Sequence, residues 1–158
     1  MARHLLLIAF MLPAVVVAAP VPKGLRAAGP NGTWEVVEQH SRGNKVKPSY
    51  TTRWTIDGDK LTIERVARAG AVIRQPVNPP TYSLVKPDPG KPAEVDYTIT
   101  YENGGRTRSY PGRLEVEGDT LKFCYEPRAD GGRPAECKPT ETNVYYEFRR
   151  VAADGKDK

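Results

Sequence analysis

Two cysteines, one histidine beyond the first residues and a spread of carboxylates are the groups in this chain whose types could do chemistry. Cys124 and Cys137 lie on opposite sides of a Pro- and Gly-rich stretch, Pro127 to Pro134, that can return the chain on itself. In an exported protein two such cysteines read as a disulfide, and closing a loop of that length stabilises by ~3 kcal/mol. The rival reading is two free thiols, one packed and one exposed. A catalytic redox pair is not indicated, because there is no Cys-x-x-Cys and no helix N-terminus to lower a thiol pKa. His40, beside Ser41 and Arg42 near a strand end, reads as a solvent-exposed loop residue. Glu115 and Glu117 stand two apart and so share a strand face, with Asp96 and Glu102 elsewhere. Paired acids can do acid–base work, but the alternation around these puts them on the wet side, where solvation explains them. No His, Cys and carboxylate cluster has zinc-ligand spacing, and no G-x-S-x-G occurs. The glycines of Asn103-Gly104-Gly105 and Asp130-Gly131-Gly132 precede no helix, so they read as turns and not as phosphate cradles. The chain is therefore read as non-enzymatic, with no catalytic residue, no metal and no cofactor.

The remaining constellation is aromatic. Trp34, Trp54, Tyr97, Tyr101, Phe123, Tyr125, Tyr146 and Phe148 fall on the apolar side of their segments. Trp54, Tyr97, Tyr101, Phe123 and Tyr146 are the residues expected to line a pocket for a small hydrophobic ligand, with tyrosine hydroxyls giving direction. The bland alternative is a packed core with no cavity, since large side chains fill a small barrel easily.

Strands must position these rings, because the hydrophobic period is two. Trp34, Val36 and Glu38 alternate with Glu35, Val37 and Gln39; Val95, Tyr97, Ile99 and Tyr101 alternate with Asp96, Thr98, Thr100 and Glu102. One apolar and one polar face mark antiparallel sheet with a wet side. Eight strands are expected, at 33–39, 50–57, 60–66, 81–86, 94–102, 107–117, 120–126 and 143–151. Only Val66 to Ile73 offers a short turn of helix, and Gly70 weakens it. The phrase IDGDKLTI (56–63) nearly recurs as VEGDTLKF (116–123). In each copy a strand runs into an acid-Gly-Asp turn and out into another strand, so each is a tight β-hairpin with Gly58 or Gly118 free to take positive φ. Eight such strands in a meander can close on themselves and remove their edges.

At 158 residues the chain has room for one domain. Arg3 and His4 followed by LLLIAFMLPAVVVA read as a signal peptide over 1–18, cleaved after Ala18. The apolar run is shorter than the ~20 residues of a spanning helix, and Pro13 interrupts it. Residues 19–31 are a Pro- and Gly-rich spacer, 32–151 the domain and 152–158 a charged, frayed tail. Cleavage removes Arg3 and no acid, so 24 Lys and Arg become 23 against 19 acids, a net +4. The charges are scattered and form no basic block, which argues against nucleic acid as a partner. After cleavage no run is apolar enough for stable membrane insertion.

Gly32-Thr33-Trp34 at the start of the first strand resembles the Gly-x-Trp signature of lipocalins. The resemblance implies an Arg from the last strand lying over the Trp34 ring and plugging one barrel end, a part open to Arg149 or Arg150. The longer series NGTWEVVE, WTIDGDKLTI, KPAEVDYTIT, YPGRLEVEGDTLKFCYEP and RPAEC, with a final Tyr-rich strand, is similar in order to the planctomycete lipocalin-like domain family. That family consists of small, mostly exported proteins without an established activity. The likeness covers about Gly32 to Arg150 and implies an antiparallel, up-and-down, lipocalin-like β-barrel. One departure is Cys137, where the family pattern carries an aromatic, usually Phe. The expected function is binding of a small hydrophobic ligand by an exported barrel, in periplasm, envelope or medium. The alternative is a cell-envelope interaction module with a solid core and a protein partner the sequence does not name.

Overall fold

The computed structural model describes residues 29–67, 73, 79–86, 88, 90–91, 93–102, 105–128 and 130–151. The expected signal peptide, most of the spacer, the charged tail and most of the possible helical turn at 66–73 lie outside these. Among the described residues nine strands follow in chain order: β1 Gly32–Ser41, β2 Asn44–Lys45, β3 Thr51–Asp57, β4 Lys60–Val66, β5 Thr81–Val85, β6 Glu94–Tyr101, β7 Arg106–Glu117, β8 Thr120–Tyr125 and β9 Val144–Arg150. Every pairing is antiparallel, and each strand from β3 to β8 pairs with the next. Pairing of β1 with both β3 and β9 closes the ring. The result is the expected closed, antiparallel, up-and-down eight-strand barrel. β2, the strand not expected, is a two-residue addition that pairs with the end of β1.

Both copies of the repeated phrase are tight hairpins, with Asp57 opposite Lys60 and Glu117 opposite Thr120. Gly58 and Gly118 both sit at φ +59°, while Asp59 and Asp119 do not enter the left-handed region. Positive φ at the first of two central residues is the II′ pattern, whose twist matches the flanking strands and which calls for glycine there.

The alternation holds along β3, β6, β8 and β9 but breaks in β1. A bulge shifts the register between Val36, opposite Phe148, and Glu38, opposite Glu147. The extra residue, Val37, is exposed, and beyond it the faces exchange. Gln39 therefore turns inward opposite Tyr146, and Glu38 turns out, the reverse of the simple alternation.

Trp34, Trp54, Ile56, Leu61, Leu84, Val95, Leu114, Leu121, Phe123 and Phe148 fill one half of the barrel. That end is capped by Trp34, whose indole Nε1 donates to the Pro30 carbonyl at 2.7 Å. The Arg150 guanidinium lies 4.0 Å from the Trp34 ring centre and donates to the carbonyls of Asn31 and Gly29 at 2.9 and 3.1 Å. Of the two arginines open to this part, Arg150 takes it; Arg149, opposite Glu35, faces outward.

Candidate functional site

Trp54 on β3 and Tyr97 on β6 meet across the barrel and form the floor of the opposite, open half. Their rings stack at 6.1 Å, and Tyr97 stacks in turn on Tyr82 of β5 at 6.2 Å with the planes 2° apart. Tyr146 of β9 closes on Trp54 at 5.4 Å. Above this floor a recess of about 220 Å³ opens to solvent, lined by Gln39, Tyr50, Thr52, Trp54, Ile63, Arg65, Tyr82, Tyr97 and Tyr146. Its volume is below the ~300 Å³ at which drug-sized pockets begin, so it suits one or two rings.

Of the five residues expected to line a pocket, Trp54, Tyr97 and Tyr146 do so. Phe123 is fully buried and packs beneath Trp54 and Tyr97, at 5.3 and 5.5 Å, as part of the solid half. Tyr101, the last residue of β6, is 40 % exposed and stands outside the lining. Gln39, Tyr50, Thr52, Ile63, Arg65 and Tyr82 were not among the expected lining residues. Thr52, Arg65 and Tyr82 share the inward face with Trp54, with Leu61 and Ile63, and with Leu84, so their positions were readable from alternation. Gln39 was hidden by the bulge; Tyr50, expected inside the strand over 50–57 and on the face of Trp54, lies just before β3.

The polar groups around the recess are tyrosine and threonine hydroxyls and the Gln39 amide, which can donate or accept, and the Arg65 guanidinium, which only donates. Burial pushes the phenol pKa of Tyr82 and Tyr97 up, and that of Tyr146 up to about 12. Nearby tyrosines add to the rise at Tyr97 and Tyr146. Taking a phenolate out of water is costly, so these hydroxyls stay protonated throughout the neutral range. The Gln39 amide donates to the Tyr146 hydroxyl at 3.4 Å. The Arg65 guanidinium lies over the Tyr50 ring at 5.1 Å, a contact that holds a cation at the rim without neutralising it.

The wall beside the recess is thinnest between β4 and β5, where Lys60 opposite Ser83 and Leu61 opposite Tyr82 are the paired positions. A groove of about 270 Å³ runs along this seam, lined by residues 60–64 and 79–82. It shares Ile63 and Tyr82 with the recess. The groove has the larger volume, but the recess has the converging polar groups, and those give a ligand its orientation.

The other chemically suited residues lie on the outer face. His40 is in β1 and not in an exposed loop. Its side chain is 15 % exposed, with Nε2 2.5 Å from Glu38 Oε1 and the ring edge-on to Tyr145. Hydrogen bonds from His40 and then Lys45 lower the Glu38 pKa. Glu115 pairs with Arg113 at 2.6 Å and Glu117 with Lys122 at 3.8 Å, so both serve as surface ion-pair partners. Cys124 faces outward on β8 but is covered by the loop leading to β9. Arg133 pins that loop, donating to the carbonyls of Val95 and Gly112 and to Asp96 Oδ1. Cys137, in the same loop, comes to rest beside Cys124. No bond joins the two here, and both are buried, so the reading of one packed and one exposed thiol does not hold. The Cys137 pKa is raised by the hydrogen bond to Cys124 and by burial. Among the described residues no group of three or more His, Cys, Asp and Glu could hold a metal ion. No described helix is long and apolar enough to cross a membrane.

No protein-family model and no curated protein matches this chain. Among solved structures, apocrustacyanin C2 is similar, with 17% identity and a TM-score of 0.38. The match covers 78% of this chain and 61% of that one, so this chain spans less than two thirds of its length.

Proposed function

We propose that this protein is a non-enzymatic binder that takes a small, largely hydrophobic aromatic molecule into the open end of its barrel. The supporting observation is the convergence of Trp54, Tyr82, Tyr97 and Tyr146 around a solvent-facing recess that their own side chains leave unfilled. A flat apolar body would stack on the Trp54–Tyr97 floor, where offset aromatic contacts contribute about 0.5–1.5 kcal/mol each beyond area burial. The ordered motifs support a place in the planctomycete lipocalin-like domain family, and the N-terminal apolar run supports export. In an oxidising compartment Cys124 and Cys137 would then join, giving two protons and two electrons to a disulfide oxidant there.

The alternative is an envelope interaction module with a solid barrel, and the filled capped half favours it to that extent. Fluorescence separates the two. Titration with 2-naphthol is expected to shift Trp54 emission saturably, and Tyr97→Ala to weaken binding about tenfold. An unchanged spectrum over the whole titration would remove the ligand reading and leave the outer surface as the working part.

A further inference from the structure

The register of the strands decides what charge a ligand meets on entering. At the open end the inward positions of β4 and β7 carry arginines. Arg65 follows Leu61 and Ile63 on the inner face of β4, and it reaches the recess. On β7, Tyr110, Gly112 and Leu114 face inward, so Arg108 and Arg106 continue the same face toward the rim, opposite Ile99 and Tyr101. The remaining inward positions of this half are Gln39 and Ser41 on β1, Thr52 on β3, Tyr82 on β5, Tyr125 on β8 and Val144 and Tyr146 on β9. Among the described residues no Asp or Glu occupies any of them. Carboxylates around this half stand on outward strand positions, Glu38, Glu64 and Glu147, or in turn and loop segments: Glu102, and Glu126, Asp130, Glu136 and Glu141 between β8 and β9. Of these, Glu126 accepts from the Thr142 hydroxyl and Glu136 pairs with Lys138.

We infer that the ligand is an anion: a small aromatic carboxylate, its ring on the Trp54–Tyr97 floor and its carboxylate toward Arg65. This rests on the binding reading above and narrows it. A neutral hydrophobe would need no cation at the rim, and a cationic ligand would meet arginine with no inward acid to offset it. A carboxylate offers only acceptors, and the recess offers guanidinium, phenol and amide donors. Protonated Tyr82 and Tyr146 keep that donor set intact across the neutral range. Bidentate pairing of a planar guanidinium with a carboxylate fixes orientation as well as contributing affinity.

The test compares 2-naphthoate with its neutral isostere 2-naphthamide by calorimetry on the purified protein. The naphthoate is expected to bind roughly tenfold tighter, with an advantage that shrinks as salt rises. Arg65→Gln is expected to bring the two affinities together, while Arg149→Gln on the outer face leaves the difference intact. Thermal melts of both variants confirm that they are folded. Equal affinity of the two probes for the unaltered protein overturns the anion inference and leaves the binding function standing. A naphthoate preference that survives Arg65→Gln also overturns it, because the charge is then read elsewhere. Failure of both probes to bind overturns the binding reading together with the inference.

Discussion

Arg150 does at one end of the barrel what Arg65 does at the other: it places a guanidinium against an aromatic face. The outcomes differ because the partners differ. Arg150 covers fully buried Trp34 and donates to two backbone carbonyls, so it closes its end. Arg65 covers half-exposed Tyr50 beside an open recess. Arg150→Ala removes the cation–π contact and leaves the carbonyls of Asn31 and Gly29 to water. It is expected to cost about 1–3 kcal/mol, measured as a lowered midpoint in urea unfolding, because each of these contacts contributes about 1 kcal/mol. A loss near zero would mean that Trp34 and Pro30 close the end alone. An arginine over Trp34 was expected only through the resemblance that the Gly-x-Trp start carries, with Arg149 and Arg150 both open to the part. The choice of Arg150 over Arg149 needed the register, which sets Trp34 opposite Arg150 and turns Arg149 outward. Gln39 was not legible at all, because a bulge is a one-residue slip in pairing and alternation cannot see it.

At the scale of elements, the two acid-Gly-Asp hairpins and most strand boundaries could be read from period and turn chemistry alone. The two-residue β2 could not, since a pair of exposed polar residues carries no period. Glycine again separates two physical causes. A Cβ at Gly118 would meet nothing within 4 Å, so its requirement is the positive φ alone. A Cβ at Gly112, on the inner face of β7, would lie 3.0 Å from the Cys124 carbonyl oxygen and 3.1 Å from the Phe123 ring. Gly118→Ala is therefore expected to cost about 1 kcal/mol as backbone strain. Gly112→Ala is expected to cost about 2–3 kcal/mol through overpacking, and to perturb the aromatic near-UV circular dichroism, which Gly118→Ala leaves alone. Equal costs with unchanged spectra would contradict the assignment of Gly112 to ring packing.

The whole molecule divides along the barrel axis into a filled, capped half and an aromatic half with an unfilled, arginine-rimmed recess. Alternation marked the inward aromatics but not this division. Phe123 and Tyr146 face inward from adjacent strands as direct register partners, yet Phe123 is fully buried and Tyr146 lines the recess, a difference that alternation does not carry. The loop that carries Cys137 was likewise readable as a return toward Cys124, whereas its anchoring by Arg133 rests on contacts with β6 and β7 distant in sequence. Native and denaturing mass spectrometry of the protein isolated from its own cells addresses the recess most directly. Extra mass present only in the native spectrum is the expected result, with the ion mode and mass identifying a small organic acid. Identical masses in the two spectra would contradict a ligand-binding barrel and turn attention to the outer face.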